Sequence, residues 1–293
     1  MSAIQEVAEK VRNKFHPLHH LRKSRIYKYI LRPIFDIPIP ASLGLRHRVH
    51  LRVLTHLSFI FLSRRMEAKA LDTFSTIVKH LEVGQECFID VGANIGLYTW
   101  HALEQYLNLD VATFEPDPRN TKLLQKSAKR WKAPNLSIHP LAVSNNAGKA
   151  SFTQDLLSSA TGSLDQSDIT FTERHFSQQP TRIEVSTTTL DIATREMLSP
   201  ALIKIDVEGH ELEVLEGAAK ILETHKPIIM IESFGKRAEA IRAILEPHGY
   251  RFLDADTNQA IGPLTMNHLC LAPDSAKPLI LQSLANKGIS FNT

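Results

Sequence analysis

The chain has 293 residues, which fits one catalytic-sized domain with an extension better than two full domains. Its 43% hydrophobic and 22% charged residues exclude a disordered or fibrous chain. The net charge of +3 conceals an asymmetry: residues 1–65 hold 13 Lys/Arg against 3 Asp/Glu, and the rest hold 21 against 28.

Residues 1–65 therefore read as a basic extension, and 66–293 as the catalytic domain. A basic arm on an acidic body points to an anionic contact such as a membrane surface, with a solvated helical face as the plain reading. A homo-oligomer contact is the competing reading, and a nucleic-acid partner is disfavoured. The N-terminus has no apolar run of the signal-peptide kind. The apolar stretch 51–62 is too short to span a bilayer and carries Arg52 and His56. A cytoplasmic protein is expected, at most peripheral to the inner face of a membrane. The two cysteines, Cys87 and Cys270, lie in apolar runs and are expected to be free buried thiols.

In chain order, Met66, Ala70, Phe74, Ile77, Val78 and Leu81 have helical spacing. Residues 87–91 form a buried strand, 96–107 a helix and 110–115 a second strand. Asp117-Pro118 starts another helix with proline in its first turn. A third strand is expected over 136–143, then a hairpin turned by Asn145-Asn146-Ala147-Gly148. Residues 154–181 are polar and read as an irregular loop. Within them, small hydroxyl residues beside Gly162 suit a lid or a sugar contact. Strands follow at 183–188 and 201–206, a helix over 208–224, a strand over 227–232, a helix to about 247, and strands at 249–253 and 268–272. Such alternation predicts an α/β fold: a Rossmann-like, mostly parallel seven-stranded sheet with an antiparallel edge.

The chemistry concentrates at strand ends, where open α/β sheets bind ligands. The run Asp90-Val91-Gly92-Ala93-Asn94-Ile95-Gly96 joins a strand to a helix through a glycine-rich turn. Gly92 lets a ligand approach the backbone, and Gly96 permits close packing. Asp90 could accept from an ammonium group, and the helix N-terminus could meet a carboxylate. Glu115 ends the next strand, placed to accept from both ribose hydroxyls of an adenosine. The spacing departs from G-x-G-x-x-G, because Asn94 stands where the second glycine would be. The ligand expected is thus S-adenosylmethionine rather than a dinucleotide.

The segments IDVGANIGLYT, FEPDPRN, PLAVSNNAGKASF, TTTLD, LIKIDVEGHELEVLEGA and PIIMIES, in this order, resemble the FkbM-type methyltransferases over about residues 84–235. The resemblance implies a class I adenosylmethionine fold and O-methylation of sugar or secondary-metabolite hydroxyls. It carries Asp90, Gly92, Asn94, Gly96, Thr99 and Glu115 over as cofactor positions, with Ala142 and Val143 near the adenine.

An alcohol acceptor needs a base. Asp206, Glu208 and His210 crowd the turn after the strand 201–206, and Glu232 ends the next strand. These four are the candidate catalytic residues, with His210 attractive for its near-neutral pKa and Asp206 and Glu208 able to orient it. The competing reading is that the acids cap or favour the following helix. Metal ligation by this turn is not expected, because its spacing is not diagnostic. An RNA methyltransferase using the basic arm is the alternative enzyme. A non-catalytic scaffold is the alternative of another class.

Overall fold

The computed structural model describes residues 24–62, 67–157, 159, 162–164, 181–233, 235–262 and 265–289. A helical stretch (Tyr27–Leu31, then Arg32–Phe35) leads into strands β1 (Pro38–Ala41) and β2 (Val49–Arg52), which pair as an antiparallel ribbon. The chain continues with helix α1 (Ala68–Val78), β3 (Glu86–Val91), α2 (Leu97–Gln105), β4 (Asp110–Phe114), α3 (Pro118–Trp131) and β5 (Leu136–His139). Strands β6 (Ala142–Val143), β7 (Gly148–Gln154) and β8 (Thr181–Thr188) form a separate small sheet. Then come β9 (Ser199–Ile205), α4 (Glu211–Glu216), α5 (Ala219–Thr224), β10 (Ile228–Glu232), α6 (Lys236–Leu245), β11 (Arg251–Asp254), β12 (Asn267–Leu271) and α7 (Pro278–Ala285).

The main sheet has seven strands in the order β11-β12-β10-β9-β3-β4-β5. All its pairings are parallel except the two made by β12. This is the expected Rossmann-like sheet. The reversed strand, however, sits one place in from the edge, because β11 takes the outermost position. Both faces are covered, so the central strands are apolar almost throughout. Successive β3 residues divide accordingly: Phe88 joins the core containing Phe74, Trp100 and Leu124, whereas Ile89 and Val91 join Ile203, Val214 and Leu222 on the other face. Cys87 and Cys270 are free and buried, as expected.

Two local expectations fail. The 136–143 strand breaks before β6, and the 145–148 turn does not make a hairpin. Instead β6 and β7 flank β8, which pairs parallel with β6 and antiparallel with β7. The expected helix over 208–224 is two helices, because Gly217 lies against a neighbouring backbone. A Cβ there would fall 2.1 Å from the Ser144 carbonyl oxygen. Helix α7 and the β1–β2 ribbon were not anticipated.

The described part of the basic arm is knitted to α3. Leu43, Val49 and Leu51 enter the main core. The His50 amide donates to Ser127 Oγ at 2.7 Å. Burial alone would raise the Asp36 pKa, but bonds from Thr55 and Arg52 hold it below the ordinary value. Arg119 of α3 lies 3.9 Å from the same carboxylate. The expected boundary at residue 65 falls outside the described residues. Among the described residues no helix is long and apolar enough to cross a membrane.

Candidate active site

The turn leaving β3 rests directly on the turn leaving β9. A Cβ on Gly92 would lie 2.0 Å from the Asp206 carbonyl oxygen, and the Asp206 amide donates to Val91 O at 3.0 Å. The approach of the two backbones therefore requires glycine here. It brings the first glycine-rich turn against the acidic turn. Behind it, Asp90 Oδ2 accepts from the Thr99 amide and hydroxyl at 3.1 and 2.6 Å. Asp90 and Thr99 thus fix the start of α2 and do not line the cleft. Burial, offset partly by Thr99, pushes the Asp90 pKa up to about 6. Gly96 also serves packing, since a Cβ would strike Trp100 and Leu124. These three positions support the turn between β3 and α2 from behind.

The cleft itself opens over the ends of β3 and β4. Its enclosed volume is about 80 Å³, and the cleft opens to solvent. Gly92, Asn94 and Glu115 line it together with the apolar groups of Phe114, Leu141, Ala142, Val143, Phe152 and Leu164. Glu115 is 4% exposed. Its two oxygens accept from the amides of Asn94 (2.7 Å) and Asp117 (2.8 Å). Burial outweighs these bonds and pushes its pKa up to about 8. Asn94, with φ +53°, donates from Nδ2 to Ser159 O at 2.6 Å, while its buried Oδ1 lacks a hydrogen-bond partner among the described residues. Asp155, Ser159, Gly162 and Leu164 bring the segment after β7 into the cleft wall. The expected loop is thus partly a wall, and its stretch 165–180 lies outside the described residues.

A second hollow, with an enclosed volume of about 90 Å³, adjoins the first. It is lined by Glu211, Glu232, Ser233 and Arg237, and it shares Asp206 and Glu208 with the cleft. Three of the four expected catalytic residues therefore meet here. Glu232 is held well above the ordinary carboxylate range, chiefly by burial and then by Asp206 and Glu208. Glu211 is also raised by burial, and its Oε1 accepts from the Gly209 amide. Ser233 Oγ is buried with no hydrogen-bond partner among the described residues. His210 lies on the cleft side, with Nε2 2.9 Å from Ser144 Oγ and Nδ1 3.5 Å from Glu213. Glu208 has φ +52°, a left-handed conformation uncommon for a non-glycine residue.

Sequence reasoning missed Lys204. It is 1% exposed, 3.7 Å from Asp206 Oδ2 and 5.0 Å from the centre of the Tyr98 ring. Burial alone would lower its pKa, but Asp206, Glu67, Glu232 and Asp90 together hold it above the ordinary value. Glu67 in turn accepts from Tyr98 Oη at 2.5 Å. A lysine inside an apolar strand run was the one available signal, since a buried ammonium requires partners.

The model of the methyltransferase FkbM domain matches residues 90–252, more than half of the chain. The chain belongs to this family. The FkbM methyltransferases use S-adenosylmethionine as methyl donor, and the residues of the cleft suit that molecule. Glu115 would offer acceptor lone pairs to ribose hydroxyls, the unpartnered Asn94 Oδ1 would offer another, and the apolar wall would suit a purine. The hexuronic acid methyltransferase AglP of Haloferax volcanii is 31% identical over 145 residues, covering 48% of this chain and 53% of that protein. The chain thus spans about half the length of this curated relative. A solved FkbM methyltransferase from Methylobacillus flagellatus superposes with a TM-score of 0.44 and 19% identity, over 68% of this chain and 47% of that one. TYW2 of M. jannaschii in complex with AdoMet gives 0.40 and 12%, over 80% and 84%.

Proposed function

We propose that this FkbM-family chain methylates a sugar hydroxyl, with Glu232 as general base. The observation that carries the reading is the shared wall: Asp206 and Glu208 border both the cofactor cleft and a hollow rich in carboxylates. Sugar hydroxyls donate hydrogen bonds and carboxylates accept them, so this lining suits a polyhydroxylated acceptor. When bound, S-adenosylmethionine supplies an electrophilic methyl group on a sulfonium.

The protein's task is then to hold an alcohol in line and take its proton. Glu232 is suited to the second part, because a carboxylate with a raised pKa is a stronger base than an exposed one. Asp206 and Glu208 orient the acceptor at the junction. Lys204 sets a buried positive charge behind Asp206 and balances the crowded acids. His210 contacts the donor side, held between Ser144 and Glu213. Arg237, 3.6 Å from Glu211 Oε2, puts a cation on the rim of the hollow. That cation, with the named activity of AglP, favours an acidic sugar such as a uronate.

The test is labelled methyl transfer to glycans bearing uronic acids, to neutral glycans and to bulk RNA. Transfer to uronate-bearing glycans is expected, with Glu232→Gln nearly inactive. Methylation of RNA alone, or a fully active Glu232→Gln protein, would overturn the reading.

A further inference from the structure

We propose that one face of the protein, formed by the segment 24–37 and helix α3, docks on an anionic bilayer surface. The proposal stands apart from the choice of acceptor. Ten large apolar side chains stand exposed among the described residues, and six of them lie within this short segment: Ile26, Tyr29, Ile30, Ile34, Phe35 and Ile37. All six are more than half exposed, with Tyr29 at 74%. Ile26, Ile30 and Ile34 recur every fourth residue along the helical stretch, so they form one stripe. The stretch is not loose. Tyr27 is 1% exposed, packs in a small core with Leu157, and donates from Oη to Leu54 O at 3.1 Å. With Tyr27 pinned inward, the stripe is presented outward.

Beside this patch runs a groove lined by Pro38, Arg52, Arg119, Lys122, Lys126 and Lys129, together with Leu123 and Gln125. Among the described residues it is lined by five cations and no acid. Arg119, Lys122, Lys126 and Lys129 share one face of α3 and span about 15 Å of helix. Pro38 follows Ile37 directly, so patch and groove are continuous. The acids that act on Arg119, namely Asp36, Asp117 and Asp155, are 3%, 4% and 2% exposed, and Asp36 is occupied by Thr55 and Arg52. The positive field is felt locally: His50 has a lowered pKa, from burial and then from Arg130 and Lys126.

Charge complementarity selects the occupant. Apolar side chains flanked by a row of cations match the interface of a bilayer, where acyl chains lie just beneath a plane of phosphates. Asp117 and Asn120, on either side of Arg119, line the cofactor cleft. Docking would therefore place the cleft within a helical turn of the membrane, within reach of an acceptor carried on a lipid.

The full chain is tested by flotation with vesicles of phosphatidylcholine alone and of phosphatidylcholine mixed with phosphatidylglycerol. Binding is expected only to the anionic vesicles, falling as salt is added. The triple variant Lys122→Glu, Lys126→Glu, Lys129→Glu should weaken it about tenfold or more. The double variant Ile30→Asp, Ile34→Asp should weaken it similarly while cofactor affinity, which reports folding, stays unchanged. Tyr29→Trp fluorescence should shift to the blue on binding. Absence of vesicle binding, equal binding to both vesicle types, or indifference to the isoleucine pair would overturn the proposal. A dimer that these variants dissociate, without vesicle binding, would assign the face to a second copy of the chain. RNA binding lost in the lysine variant, without vesicle binding, would assign it to nucleic acid.

Discussion

Glu115 should make cofactor binding depend on pH. In the free protein its carboxyl titrates near 8, because burial penalises the charge more than the Asn94 and Asp117 amides repay it. At pH 7 about nine in ten molecules therefore carry a proton on it. Ribose hydroxyls bind best to the ionised form, so binding must expel that proton. One pKa unit corresponds to about 1.4 kcal/mol, or a factor of about ten. The Kd for S-adenosylmethionine should thus fall about tenfold from pH 6 to 7, about fivefold again to pH 8, and about twofold more before it levels off. Titration calorimetry at pH 7, in buffers of different ionisation enthalpy, should register close to one proton released per cofactor bound. Glu115→Gln should abolish both the release and the slope. It should also bind more weakly above pH 8, because each charge-assisted bond contributes about 1.5–3 kcal/mol. A Kd that is flat from pH 6 to 9, or a slope that survives in Glu115→Gln, would refute the reasoning.

Glu232→Gln should lower turnover by about 10²–10⁴-fold with little change in cofactor affinity, and kcat/KM of the native protein should rise with pH as Glu232 ionises. Lys204→Met should destabilise the protein by roughly 3–5 kcal/mol in denaturant titration, because Asp206, Glu67 and Glu232 lose their buried counter-charge. Gly92→Ala should remove cofactor binding, since its Cβ would sit 2.0 Å from the Asp206 carbonyl oxygen and must push the two turns apart. Cofactor-free protein should lose stability as pH rises. Asp90 and Glu115 titrate higher in the fold than in the unfolded chain, so their contribution is complete below about pH 4 and is lost through about 6 and about 8 respectively. Thermal melts across this range should show the fall, and Glu115→Gln should shrink its upper part.

The sheet was legible because its signals are local. Apolar runs ending in Asp90, Glu115 and Glu232 mark the ligand edge, and Asp117-Pro118 starts α3 as expected, with Asp117 Oδ1 accepting from the Arg119 amide. The failures are all tertiary. The 145–148 turn has hairpin chemistry, but both its flanking strands find a better partner in Thr181–Thr188, far along the chain. Gly217 looks tolerable inside a helix until the Ser144 carbonyl is brought against it. The hydrogen bonds of Asp90 to Thr99 likewise join residues nine apart, from the strand end to the helix start. The partners of Lys204 come from α2, β3, β10 and the Glu67 turn, which no sequence window spans.

The wall between donor and acceptor has an evolutionary consequence. On the proposed reading, a change at Asp206 or Glu208, which line both hollows, would alter both ligands at once. Glu232, Ser233 and Arg237 face the hollow alone, on β10 and the start of α6. New acceptors can be selected along that one edge while the grip on the methyl donor stays intact.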